Sequence, residues 1–194
     1  DSVYVKVFGK SAHGSTPEFG ENAIDRLFEF LIDAKVDHSI IKLANERLIH
    51  DYHGKKLGVA YKDEEMGHLT INVGAMSTID NKYRFNLNLR YPNGVKFDEV
   101  VKTLEKNTKA YDATVTVDNH QELLYVDPKS ELVQKLLKVY RKHTNDMSDP
   151  ITIGGGTFAR ALPNSVAFGP HFLDKPTYIH QKNEYIDLDD FFTA

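Results

Sequence analysis

Apolar and polar residues alternate from the start of the chain. Val3, Val5 and Val7 interleave with Tyr4, Lys6 and Phe8, which predicts a β-strand. The run Ala12-His13-Gly14-Ser15-Thr16-Pro17-Glu18-Phe19-Gly20 reads as a loop. From Asn22 to Ala34 the period becomes helical, with Ala23, Leu27, Phe28, Leu31 and Ile32 on one stripe. A second helix is predicted over about 39–52 from Ile40, Ile41, Leu43, Ala44, Leu48 and Ile49, with Gly54 as its stop. Alternation returns at Leu69, Ile71 and Val73 and again at Tyr83, Phe85, Leu87 and Leu89. These read as two antiparallel strands joined through 76–82, the second stopped after Arg90 by Pro92 and Gly94. A helix over about 97–110, with Val100, Val101 and Leu104 inward, and a strand over 113–117 complete the order β-α-α-β-β-α-β. That order predicts an α+β fold, an antiparallel sheet with helices on one face.

Residues 121–127 cross to a second unit, so the domain reading is 1–120 and 121–194. Pro128 starts a helix to about His143, with Leu132, Leu136, Leu137 and Tyr140 inward. Ile151 and Ile153 lead into Gly154-Gly155-Gly156-Thr157, where Thr157 is placed to cap a short helix. Ser165–Phe168 reads as a short buried strand ending at Gly169-Pro170. Asp187 reads as the N-cap of a terminal helix with acidic residues in its first turn. The chain opens inside a strand and stops barely two turns into that helix, so both ends read as cut from something longer.

Composition narrows the function classes. The 194 residues carry a formal charge of −4, with acidic and basic residues interspersed, so no clustered basic face suggests nucleic acid. No apolar run approaches the ~20 residues of a membrane span. Cysteine is absent, which removes thiol nucleophiles and Cys-based zinc sites and fits a cytoplasmic protein. Any metal would sit on His, Asp or Glu.

The candidate chemistry is sparse. Gly154–Gly156 suit either a plain turn or a close backbone approach to a ligand. Glu64-Glu65 lie in a polar turn and read as solvated. His50-Asp51-Tyr52-His53 is a tight His/Asp cluster without strand context, read as a helix terminus rather than a metal site. His13 in its loop is an ordinary loop histidine or a functional one. Arg90 at a strand end suits a sheet-edge salt bridge or the bidentate grip of a carboxylate. His180 sits in the polar run Gln181-Lys182-Asn183-Glu184. A P-loop is excluded because no lysine follows the glycines, and no G-x-S-x-G elbow exists for a serine hydrolase.

Taken in order, Gly9-Lys10-Ser11-Ala12-His13-Gly14-Ser15-Thr16-Pro17 with Gly20-Glu21-Asn22-Ala23, and later GGGT, a strand ending in Gly-Pro and His180-Gln-Lys-Asn-Glu, resemble the dinuclear-zinc metallopeptidases. These include aminoacylases, glutamate carboxypeptidases and bacterial dipeptidases. The nearest likeness is to the carnosinase-like and Xaa-His dipeptidases, and it covers nearly the whole chain. The resemblance implies an antiparallel lid domain plus the C-terminal α/β portion of a catalytic domain. It implies two zinc ions (or manganese or cobalt), with His180 as a metal ligand oriented by Asn183 and Glu184. His13 would reach the scissile carbonyl oxygen, Arg90 would bind the substrate carboxylate, and Gly154, Gly155, Gly156 and Thr157 would line that side. The family's His-x-Asp motif, bridging Asp and Glu-Glu pair are missing. The expectation is therefore a dipeptidase part, inactive alone and holding no metal tightly, whose partners are the dipeptide and the absent N-terminal half. Ser77-Thr78-Ile79-Asp80-Asn81 also replaces the Asn and Pro of many relatives. The competing reading is a non-catalytic α+β module for small-ligand binding or dimerisation.

Overall fold

The computed structural model describes residues 2–169, 172, 175, 178, 179 and 182–193. They form two compact units, Asp1–Leu123 with Thr152–Gly155, and Leu124–Ile151 with Gly156–Ala194.

The first unit is mixed α+β and centres on a hairpin. A small ribbon, β1 (Lys62–Asp63) with β2 (Gly67–His68), precedes the antiparallel pair β3 (Thr70–Ile79) and β4 (Lys82–Arg90). Asp80 and Asn81 join the long strands, both at positive φ, which is the two-residue turn whose twist suits a hairpin. The strands thus run on through Met76–Ile79, where the sequence suggested a connection. Asp and Asn tolerate the left-handed backbone that makes so tight a join possible. Ile71 faces Leu89, Val73 faces Leu87 and Met76 faces Phe85. The register slips between Val73 and Ala75, so one extra residue is inserted there. The slip puts Met76, not Ala75, on the inner face with Val73.

α1 (Ala23–Asp33) and α2 (Ser39–Leu43) pack on that face. Phe28 is fully buried, its ring 5.6 Å from that of Phe85. Asn22 caps α1 by accepting from the Ile24 amide at 2.9 Å. Its Nδ2 donates to the Val73 carbonyl, also at 2.9 Å, so one side chain ties the helix start to the sheet where the register slips. Beside this, Leu43, Leu57, Leu69, Ile71, Val100 and Leu104 form the adjoining core, which includes α3 (Phe97–Thr108).

The structure departs from the sequence expectations elsewhere in this unit as well. The second helix is not one α-helix to Tyr52. α2 widens after Leu43 into a π turn, Ala44–Leu48, and His50 leaves it at φ 57°. Gly54 is not its cap. Gly54 sits at φ 72° in the next loop, where a Cβ would come 2.7 Å from Val59 Cγ2. The expected strands at 3–8 and 113–117 join no ladder among the described residues. Ala113 and Val115 still pack on the core, because alternation reports which face is buried rather than which backbone is paired.

In the second unit, α4 (Glu131–Thr144) starts at Ser130, whose hydroxyl accepts from the Val133 amide at 3.4 Å. Beyond its end, Asp146 accepts from the Ser148 hydroxyl, the Ser148 amide and the Tyr140 hydroxyl, and these bonds hold its pKa below the usual carboxylate value. Thr157 precedes a short 3-10 helix, Phe158–Ala161, but makes no side-chain cap bond. Ser165–Phe168 is not a buried strand. It joins no ladder among the described residues and is half-buried to exposed. The Ser165 hydroxyl instead donates to Leu162 O at 3.0 Å. α5 (Leu188–Thr193) does open on Asp187, whose Oδ1 accepts from the amides of Asp189 and Asp190 at 2.9 and 3.3 Å. Among the described residues, no helix is long and apolar enough to cross a membrane.

Candidate functional site

The loop that carries His13 is closed at its neck. Lys10 and Glu21 exchange two backbone hydrogen bonds of 2.9 Å, so the residues between them form a compact Ω-type loop. Glycines make the neck possible. A Cβ at Gly9 would lie 2.3 Å from Glu21 O, and one at Gly20 would lie 2.7 Å from Lys10 O. Arg26 of α1 pairs with Glu21 and donates to Phe8 O at 2.8 Å, which roots the loop on the helix. Inside the loop the Thr16 amide donates to His13 O at 2.9 Å, which closes a turn around Gly14 and Ser15. The His13 Nδ1 then lies 2.7 Å from Ser15 Oγ and 3.3 Å from Ser15 N.

Arg90 reaches this loop from the end of β4. Its Nε donates to Asn88 Oδ1 at 3.0 Å, and its Nη1 donates to the carbonyl of Gly154. The guanidinium lies against Gly14, where a Cβ would be 3.4 Å from Nη2. Gly154 in turn abuts Ser15, with a Cβ there falling 2.3 Å from Ser15 Cβ. The backbone at Gly154 is not left-handed, so this glycine is required for space and not for φ. The first unit therefore brings His13, Arg90 and Gly154 to one corner, with Ser15 and Asn88 between them. The corner offers one cation, an imidazole, a hydroxyl and an amide, a set suited to an anionic, hydrogen-bonding ligand.

The other expected residues are not gathered at this corner in the same way. A Cβ on Gly155 would meet nothing within 4 Å. Gly156 and Thr157 belong to the second unit. His180 lies outside the described residues. The sequence reading missed Asn88 and Ser15. Asn88 is two residues from Arg90 on one strand face, and Ser15 is two residues from His13 in a turn, so both spacings were readable.

The His50-Asp51-Tyr52-His53 cluster shapes the chain. His50 Nε2 is 3.0 Å from Glu29, and its amide donates to Asp25 at 3.1 Å. Asp51 accepts from the amides of His53 and Lys56. Asp25 is nearly fully buried, and burial pushes its carboxyl above the usual range against the lowering effect of the His50 bond. Among the described residues, no group of three or more His, Asp and Glu side chains could hold a metal ion. The described residues do not themselves build the dinuclear centre that the resemblance implies. Elsewhere on the outward face of the hairpin, a shallow depression of about 270 Å³ is lined by Ala75, Ser77, Ile79, Asn86 and the Arg84–Asp118 ion pair.

Residues 1–116 match the family model of the M20 peptidase dimerisation domain. The chain belongs to the M20 peptidase family. It is 41% identical over 191 residues to a protein of Staphylococcus haemolyticus (strain JCSC1435) provisionally named a dipeptidase, a match covering 96% of this chain and 40% of the relative. Two proteins of Staphylococcus aureus, from strains USA300 and NCTC 8325, bear the same kind of name. Each is 39% identical over 197 residues, covering 99% of this chain and 42% of the relative. The chain thus spans about two fifths of the length of these relatives. Membership of the M20 family bears out the resemblance carried by the His13 and Gly154 motifs.

Proposed function

We propose that the chain is the lid (1–120) and the C-terminal catalytic part (121–194) of an M20 metallo-dipeptidase that cleaves dipeptides with a free C-terminal carboxylate. The observation that carries this reading is the meeting of Arg90 with the His13 loop at Gly154. A carboxylate is a stronger acceptor than the Gly154 carbonyl for the same guanidinium, and a guanidinium can hold it bidentately. His13 then stands on the side of the scissile carbonyl as a hydrogen-bond donor to the oxygen that gains charge. The backbone amides of Gly154, Gly155, Gly156 and Thr157 would line the carboxylate side. His180 is a ligand of the metal pair, zinc or its manganese or cobalt substitutes, and the remaining ligands and the general base come from the other part of the catalytic domain. When bound, such a pair polarises the carbonyl and activates water. On this reading the present chain does not turn over peptide alone.

The test uses the full-length enzyme. Arg90→Ala should raise KM for a free-acid dipeptide and leave the weaker hydrolysis of its C-terminal amide unaltered. His13→Ala should keep the metal content and lower kcat by ~10²–10³-fold. A wild-type enzyme that cleaves the amide as well as the acid would sink the carboxylate role. The family model of residues 1–116 favours a second reading, a module for association with a partner chain or domain. Sedimentation of the full-length protein, with the activity assay beside it, separates the two.

A further inference from the structure

We propose that Ser15 is a positioning residue that fixes the His13 imidazole in its Nε2–H tautomer. The inference rests on the role proposed for His13 and adds the reason that its ring can act as a donor. A backbone N–H only donates, so the Ser15 amide facing Nδ1 at 3.3 Å requires a lone pair on that nitrogen. The Ser15 hydroxyl, 2.7 Å from the same nitrogen, then shares that lone pair as the second donor of a three-centre bond. With Nδ1 accepting, the single proton of the neutral ring resides on Nε2. The opposite tautomer would set a ring N–H against the Ser15 amide N–H and lose that bond.

Two features hold Ser15 in place for this task. The turn closed by the Thr16 amide on His13 O brings residue 15 back over the imidazole. Gly154 presses on Ser15 from the other side, close enough that a Cβ would lie 2.7 Å from its Oγ. An imidazole with its proton on Nε2 can donate that proton's hydrogen bond to a developing oxyanion.

Nitrogen-15 NMR of the full-length enzyme labelled at histidine reads the tautomer directly. Wild type should show, for the His13 ring, an unprotonated Nδ1 and a protonated Nε2. Ser15→Ala removes the 2.7 Å hydroxyl bond and keeps the longer 3.3 Å amide bond, so those signals should shift partway toward a tautomer mixture and kcat should fall by about 3–10-fold, the worth of one oriented hydrogen bond, with KM unchanged. A wild-type ring protonated at Nδ1 overturns the proposal without any variant. So does a Ser15→Ala enzyme with an unaltered tautomer and unaltered kcat. Retained kcat in His13→Ala would instead overturn the catalytic reading, while the ring signals of wild type still decide the tautomer.

Discussion

Gly154→Ala tests whether the corner depends on contact between backbones. The added methyl would lie 2.3 Å from Ser15 Cβ and 2.7 Å from Ser15 Oγ. Ordinary carbon–carbon contact is ~3.5–4.0 Å, so the two segments must part by about 1 Å or more. Parting them moves the carbonyl that Arg90 binds and the hydroxyl that His13 meets. Residue 154 is exposed and Ser15 half-buried, so the fold relieves the strain at the lower end of the usual overpacking cost, about 1 kcal/mol. Catalysis is less forgiving, since a displacement of about 1 Å in a positioned group costs ~10²-fold. The expected outcome is a loss of ~10² in kcat/KM for a free-acid dipeptide, with a small change in the melting temperature of the full-length enzyme. Gly155→Ala is the comparison. Its Cβ meets nothing within 4 Å, its backbone is not left-handed, and alanine keeps the amide, so its loss should be far smaller. Equal losses at the two glycines, or full activity in Gly154→Ala, would refute the reasoning.

Phe28 is fully buried between the hairpin and α2, and Phe28→Ala should destabilise the fold by about 3–5 kcal/mol in urea unfolding. Asp25 gives a pH dependence of definite sign. Burial raises its folded pKa above the unfolded value of 3.8, so the folded state holds the proton more tightly. Its contribution to stability is fully present below 3.8 and is lost as pH rises through the folded value. Glu29, Tyr52 and His50 surround it, and Asp25→Asn should flatten the decline in urea midpoint across the mildly acidic range.

Much of this fold was legible where one signal dominated. α1 was readable from its apolar stripe and from Asn22, and the hairpin from the alternation on both strands. Periodicity could not show the register slip near Gly74, because inserting one residue changes which positions face inward without changing composition. It also could not separate a paired strand from the unpaired chain seen at 113–117, which packs on the core, or at 3–8, which is largely exposed, since all alternate alike. The π turn at Ala44–Leu48 keeps the same buried residues that an α-helix would. At the site, resemblance pointed to His13, Arg90 and Gly154 and gave no role to Ser15 and Asn88, whose readable two-residue spacings acquire their value only through hydrogen bonds that form once the turn and the strand have folded.

That difference explains how three positions far apart in sequence become one site. Arg90 stands at the end of the longest ladder in the unit, oriented by Asn88 from the same strand face. His13 lies in a loop, and loops are ordinarily too mobile to keep a donor within hydrogen-bond reach of one substrate oxygen. Here the mobility is restricted three times over. The Lys10–Glu21 neck fixes the loop ends, Arg26 anchors the neck to α1, and Asn22 anchors α1 to the sheet that carries Arg90. The same hydrogen-bonded path thus runs from Arg90 through β4, β3, Asn22 and Glu21 to the His13 loop. Gly154 closes it on the other side, touching Ser15 and accepting from Arg90. The two chemical groups are therefore held against one frame, as the proposed grip of a dipeptide carboxylate beside the imidazole requires.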